Sequence, residues 1–215
     1  MKKRSFDTQI KDALDKAGLI MHGGSIVDAT LIAAPSSTKN IKGERDPEMH
    51  SSKKGNQWHF GMKVHIGVDA GTGCVHTVTA TSGNVADIDE ASKLIRKDDD
   101  VAYGDAGYLG IEKREEVTSN EHLSQVDFRI AKRPSSLKIK SNYTGFNWDQ
   151  HIEHLKASVR CKVEHAFLIV KRDFGYRKTV YRGIKKNLHR FHILFASANL
   201  LMIVRGGRTQ KFCNA

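Results

Sequence analysis

Cysteine is scarce in this chain and badly placed for chemistry. Cys74, Cys161 and Cys213 are odd in number, widely scattered and never form a C-x-x-C pair. That argues against a disulfide framework and a structural zinc site, and for free thiols in a reducing compartment. No uncharged apolar run reaches the ~18 residues of a membrane-spanning helix. The start, Met1-Lys-Lys-Arg-Ser-Phe-Asp7, carries no apolar signal region. No segment joins a basic face to a broad lipid-facing apolar one. A soluble, cytoplasmic protein without membrane contact is therefore expected. Internal repeats and low-complexity tracts are also missing. Gly104-Asp-Ala-Gly107 is too short and wrongly composed for a nucleotide-binding loop. No Ser/His/Asp or Cys/His arrangement stands out. His151/His154 and His189/His192 have i, i+3 spacing, but no cysteine or acidic partner completes a ligand set.

Acidic residues are lacking in one half only. Residues 129–215 hold 4 Asp and Glu against 19 Lys and Arg, whereas residues 1–128 hold 20 against 16. A half this basic, with Tyr143, Phe146, Trp148, Tyr176 and Tyr181 interleaved, points to a polyanionic partner.

What is present suffices for one core: 215 residues, 39% of them hydrophobic. Residues 2–18 are helix-compatible and end on a glycine. Residues 19–34 pattern as a strand stopped by Pro35, and 36–56 as a polar loop. Residues 58–68 and 74–81 alternate as a hairpin about Gly71-Thr-Gly73. A helix over 84–97 follows, with Asp87 as its cap. Then come a strand at 100–103, a short helix at 111–120 and a strand at 126–131. A basic loop at 135–146, a long helix over 149–174 and a last helix over 188–204 complete the chain. A hairpin followed by strand–helix alternation favours an α/β fold, a mixed sheet flanked by helices with a basic C-terminal helical part; by analogy as well as pattern, this is the ribonuclease-H-like arrangement.

Three carboxylates fit that frame. Asp28 lies inside the first strand, Asp105 directly follows the fourth, and Glu164 lies on the long helix. Arg160, Glu164 and Lys171 fall within about 60° of one another at helical spacing. Such spacings are common on solvated faces; the two aspartates at strand ends change the reading. If the first and fourth strands are neighbours, the aspartates project together where α/β sheets place their sites, and the long helix can bring Glu164 to them. Converging carboxylates call for hard divalent cations, two Mg²⁺ or Mn²⁺, which support in-line phosphoryl displacement. Arg160 and Lys171 would touch the phosphodiester. Other acids have simpler roles. Asp69 suits a hairpin turn, Asp87 a helix cap, and Asp98-Asp-Asp100 a solvated run. Lys53/Lys54 and Lys132/Arg133 read as surface charges.

Ile26-Val-Asp-Ala-Thr-Leu-Ile-Ala-Ala-Pro35, Lys54-Gly-Asn-Gln-Trp-His-Phe-Gly-Met-Lys63, Tyr103-Gly-Asp-Ala-Gly-Tyr108 and Val159-Arg-Cys-Lys-Val-Glu-His-Ala-Phe167 resemble the catalytic region of bacterial DDE transposases. The insertion sequence five family, grouped with the insertion sequence four family, is the best match, over about residues 18 to 205. The resemblance implies Asp28, Asp105 and Glu164 as the metal-binding triad and Arg160 and Lys171 as DNA contacts. It also implies cleavage of insertion-sequence ends and 3′-end transfer into double-stranded target DNA, in a nucleoid-associated protein. The chain departs from the wider signature at Ala157, where a tyrosine is usual. It begins 27 residues before Asp28, so the usual N-terminal end-binding region is expected to be missing. The expected division is a helical remnant at 1–18, the catalytic domain at 19–205 and a basic tail at 206–215. Self-association or an upstream-encoded fragment would then complete the assembly. Rival readings are a ribonuclease-H-like nuclease that cuts without joining, and an inactive or non-specific DNA-binding remnant.

Overall fold

The computed structural model describes residues 6–18, 20–41, 43–133 and 147–213. The basic loop expected over 135–146 lies outside them.

The chain opens with helix α1 (Phe6–Lys16), which closes at Gly18 with φ +66°, a left-handed C-terminal position that suits glycine. Six strands follow in one sheet: β1 (Gly24–Ala33), β2 (His50–Lys54), β3 (Gln57–Asp69), β4 (Val75–Ser82), β5 (Val101–Gly104) and β6 (Asp127–Ile130). The order is β2-β3-β1-β5-β6, with β4 also paired to β3. β3 is long enough to carry two partners on one edge, β2 along Gln57–Gly61 and β4 along Met62–Val68. β1 runs antiparallel to β3 and parallel to β5, and β5 parallel to β6. A mixed sheet of this order with helices on both faces is the ribonuclease-H-like arrangement expected.

Each face buries its own core. Alternation along β1 sends Ile26 and Ile32 to one side and Val27 to the other. The first side packs Met62, Val64, Ile66 and Val68 under helices α4 (Trp148–Leu168) and α5 (Ile184–Cys213), through Val163, Phe167, Phe191 and Phe195. The second side packs Ala102, Tyr108, Ile111 and Val126 with the one-turn helices α2 (Ala91–Leu94) and α3 (Glu115–Thr118). Asn199 of α5 locks onto β4, accepting from Val75 N and donating to Val75 O, both at 2.8 Å.

Several local expectations change. The polar stretch 36–56 contains β2, whose residues are almost all exposed, so no apolar pattern marks it. The helix expected over 84–97 is a 3₁₀ turn, Asp87–Asp89, followed by α2. Ala86 occupies the cap position, without a side-chain bond, so Asp87 caps nothing. Asp99 is not solvated. It is fully buried and bonded to Arg96 and Ser25, and Arg96 also reaches buried Asp69 at 3.1 Å. Asp69 does fill its turn role, accepting from Gly71 N and Thr72 N. α4 gives way at its end to a π turn, Ile169–Asp173. α5 continues to Cys213, through most of the segment expected as a separate tail.

Candidate active site

β5 pairs with β1 only from Gly24 to Ile26. Asp28 therefore stands just past the end of β5, on an open edge of β1 and on the face that α4 covers. Asp105 follows β5 immediately and caps a 3₁₀ turn, Ala106–Tyr108, accepting from Gly107 N at 2.8 Å. The two aspartates thus meet at the carboxyl end of the parallel pair, as open α/β sheets favour.

α4 supplies the third wall. Asn147 caps it by accepting from Gln150 N at 3.1 Å. Two lysines clamp it to the sheet. Lys156 Nζ donates to Ile130 O at the end of β6, and Lys162 Nζ to Ala70 O and Gly71 O in the β3–β4 turn. Between and beside these clamps Arg160 and Glu164 face the aspartates. Asp28, Asp105, Arg160 and Glu164 line one cleft of about 420 Å³ with Thr30, Ser52, Lys53, Lys54, Lys63 and Asp87.

Lys171 is placed differently from Arg160. The π turn carries it back to β1, where its Nζ bonds Thr30 Oγ1 and, at 3.3 Å, Leu31 O. Burial and the charge of Lys54 hold its pKa below the usual lysine range. It braces the wall of the cleft rather than lining it.

Burial and like charge both act on Asp28. Burial pushes the Asp28 carboxyl up to about 6, and the charges of Asp105 and Asp87 add to the effect. The Ala29 N–H, bonded at 2.7 Å, and Arg160 only partly offset this. Tyr108 lies beneath, fully buried, and among the described residues its hydroxyl has no hydrogen-bond partner. Burial, then the charges of Asp28, Asp87 and Asp105, push its pKa above the ordinary range.

Pattern reading missed Asp87 and Lys63 as cleft residues. The Asp87 carboxylate sits 2.9 Å from Lys63 Nζ, which also donates to Val85 O at 2.7 Å. The only local signal was an aspartate before a weak helix, and that also describes a cap. Among the described residues no three Asp, Glu, His or Cys side chains form a ready metal cage. Oxygen donors without a tight cage are the kind of set a hard divalent cation uses when substrate phosphates complete its shell.

A ribonuclease-H-like mixed sheet thus carries a cleft lined by carboxylates and cations at the end of its central parallel pair. Residues 21–200 match the transposase DDE domain family, and the chain belongs to it. Its fold is similar to that of a piggyBac transposase, seen by cryo-EM in a synaptic complex with hairpin DNA. The TM-score is 0.53 at 12% identity, over 88% of this chain and 48% of that one. The chain therefore spans about half the length of that relative. Among the described residues no helix is long and apolar enough to cross a membrane.

Proposed function

We propose that this chain is the catalytic domain of a bacterial insertion-sequence transposase of the insertion sequence five family. It cleaves the element's ends and joins the 3′ ends to target DNA. The observation that carries the reading is the shared cleft. Asp28, Asp105 and Glu164 come from a strand, a turn and a helix far apart in sequence, yet line one opening with Arg160. Family membership supports the same assignment.

Asp28, Asp105 and Glu164 would hold divalent cations, two Mg²⁺ in this reading. When bound, such ions activate a water or a 3′-hydroxyl and stabilise the leaving oxygen of an in-line displacement. The protein's own part is positional. Asp28 is oriented by the Ala29 N–H and Asp105 by the Gly107 N–H. Arg160 presents a guanidinium fork suited to a phosphodiester. Lys171 holds the Thr30–Leu31 edge of β1 in place. Asp87 pairs with Lys63 inside the same cleft.

The test is Mg²⁺-dependent cleavage of DNA carrying the element's ends, followed on gels, with strand joining scored in the same reaction. Wild type should cut and join. Asp28→Asn, Asp105→Asn and Glu164→Gln should each lose cleavage while keeping wild-type circular dichroism. Activity surviving in any folded variant of the three would refute the assignment, and cutting without joining would favour a plain nuclease.

A further inference from the structure

One feature of the cleft wall has no role in that chemistry. β2 and β3 form an arm joined by the two-residue turn Gly55-Asn56, with Lys54 opposite Gln57 and Lys53 opposite Trp58. Gly55 has φ +62° and among the described residues no non-glycine has positive φ, so the turn is type II′, which matches strand twist. The base of the arm is anchored. Gly83 N donates to Gly61 O at 3.1 Å, and His50 Nδ1 bonds Ser82 Oγ at 2.7 Å. Phe60 packs on the core under the Arg45 guanidinium, 5.3 Å away.

The tip is composed differently. Trp58 is 70% exposed, and among the described residues it has no ring or cationic partner. Strand alternation places it on the same sheet face as Phe60, Met62 and Val64, which is the face of Asp28 and α4. Lys53 and Lys54 line the carboxylate cleft itself. Lysines on an edge strand also deter strand pairing, but that role is not served by a bare indole beside them. An arm anchored at its base, bearing cations that reach the cleft and an exposed aromatic, has the two components of a single-strand track: charge for the backbone and a ring face for a base.

We propose that the β2–β3 hairpin grips the DNA strand leaving the carboxylate cleft. Lys53 and Lys54 hold its phosphates, and Trp58 stacks on one unpaired base. The proposal rests on the DNA-processing function above and names the strand form its site engages.

The probes are a short labelled DNA strand of mixed sequence and the fully paired duplex made from it. The chain has 2 tryptophans, so Trp148→Phe, at the far end of α4, leaves Trp58 as the reporting indole. In that background single-stranded DNA should quench Trp58 emission. Trp58→Ala should weaken single-strand binding about tenfold, the loss of one stack of roughly 1.4 kcal/mol. Trp58→Phe should keep most of the affinity, and duplex binding should change little in either variant. Unchanged emission at saturating DNA, an Ala variant that binds as tightly as wild type, or a Phe variant as weak as Ala would each overturn the grip. If salt and Lys54→Ala weaken binding while Trp58 stays silent, the grip falls and the DNA function stands. If the chain binds neither form and cuts neither, both fall.

Discussion

At the scale of single residues, burial and like charge meet at Asp28. Its carboxyl is pushed from the ordinary 3.8 to about 6, so the fold favours the protonated form. The associated stability is complete below about pH 4 and is lost as pH rises through about 6, a change of roughly 3 kcal/mol. Asp28→Asn should therefore stabilise the metal-free chain at about pH 8 by up to roughly 3 kcal/mol, and hardly at all at about pH 4. Urea unfolding at the two pH values measures this, and equal shifts at both would contradict it. Mg²⁺ should raise the melting temperature of wild type more than that of the Asn variant, which loses one of the three proposed ligands and so binds the ion more weakly. Arg96 poses the opposite case. It pairs with buried Asp69 and Asp99, so Arg96→Ala would take the neutralising cation from two carboxylates that keep only their neutral donors, and urea unfolding should show a loss of about 3 kcal/mol.

At the scale of elements, the site depends on how closely β1, β3 and α4 approach. A Cβ on Gly61 would lie 2.1 Å from Ile32 O, so any side chain there must part β3 from β1. Gly61→Ala should destabilise by more than about 2 kcal/mol and should lower cleavage in the folded fraction, since β1 carries Asp28. Denaturation and single-turnover cleavage of one preparation test both parts, and a silent substitution would mean the strands can separate freely. The π turn after α4 has a similar consequence. By returning Lys171 to Thr30 and Leu31 it engages the ammonium on the β1 edge. Lys171→Ala is accordingly expected to loosen the β1 edge, seen as faster amide exchange at residues 29–31.

At the scale of the whole molecule, charge is segregated: residues 129–215 carry 19 Lys and Arg against 4 Asp and Glu. Phosphate contacts release counterions, so DNA affinity should fall steeply and linearly on a log–log plot against salt. Arg160 lines the cleft, and Arg160→Ala should lower that slope by about one unit. Lys171→Ala, with its ammonium committed to β1, should lower it less. Fluorescence anisotropy across a salt series distinguishes the two, and identical slopes would return Lys171 to the DNA surface.

Strand alternation, glycine turns and helical spacing already placed β1, β3, β4, β5, β6 and the long helix, because those signals are local and every residue in the repeat contributes. The candidate carboxylates Asp28, Asp105 and Glu164 were legible for the same reason: each sits at a recognisable place on an element. β2 was not legible. An exposed edge strand needs no apolar pattern, and only pairing with β3 makes His50–Lys54 a strand. Asp87 and Asp99 looked like a cap and a solvated acid. Their partners Lys63 and Arg96 were chosen by the packing of the 3₁₀ turn and α2 against β3 and β1. The residue types alone determined a basic α/β domain with three well-placed carboxylates. Tertiary structure decided which charges meet, because burial and a few ångströms of approach, rather than spacing along the chain, set which carboxylate is paired with a cationic side chain and which stands in the cleft.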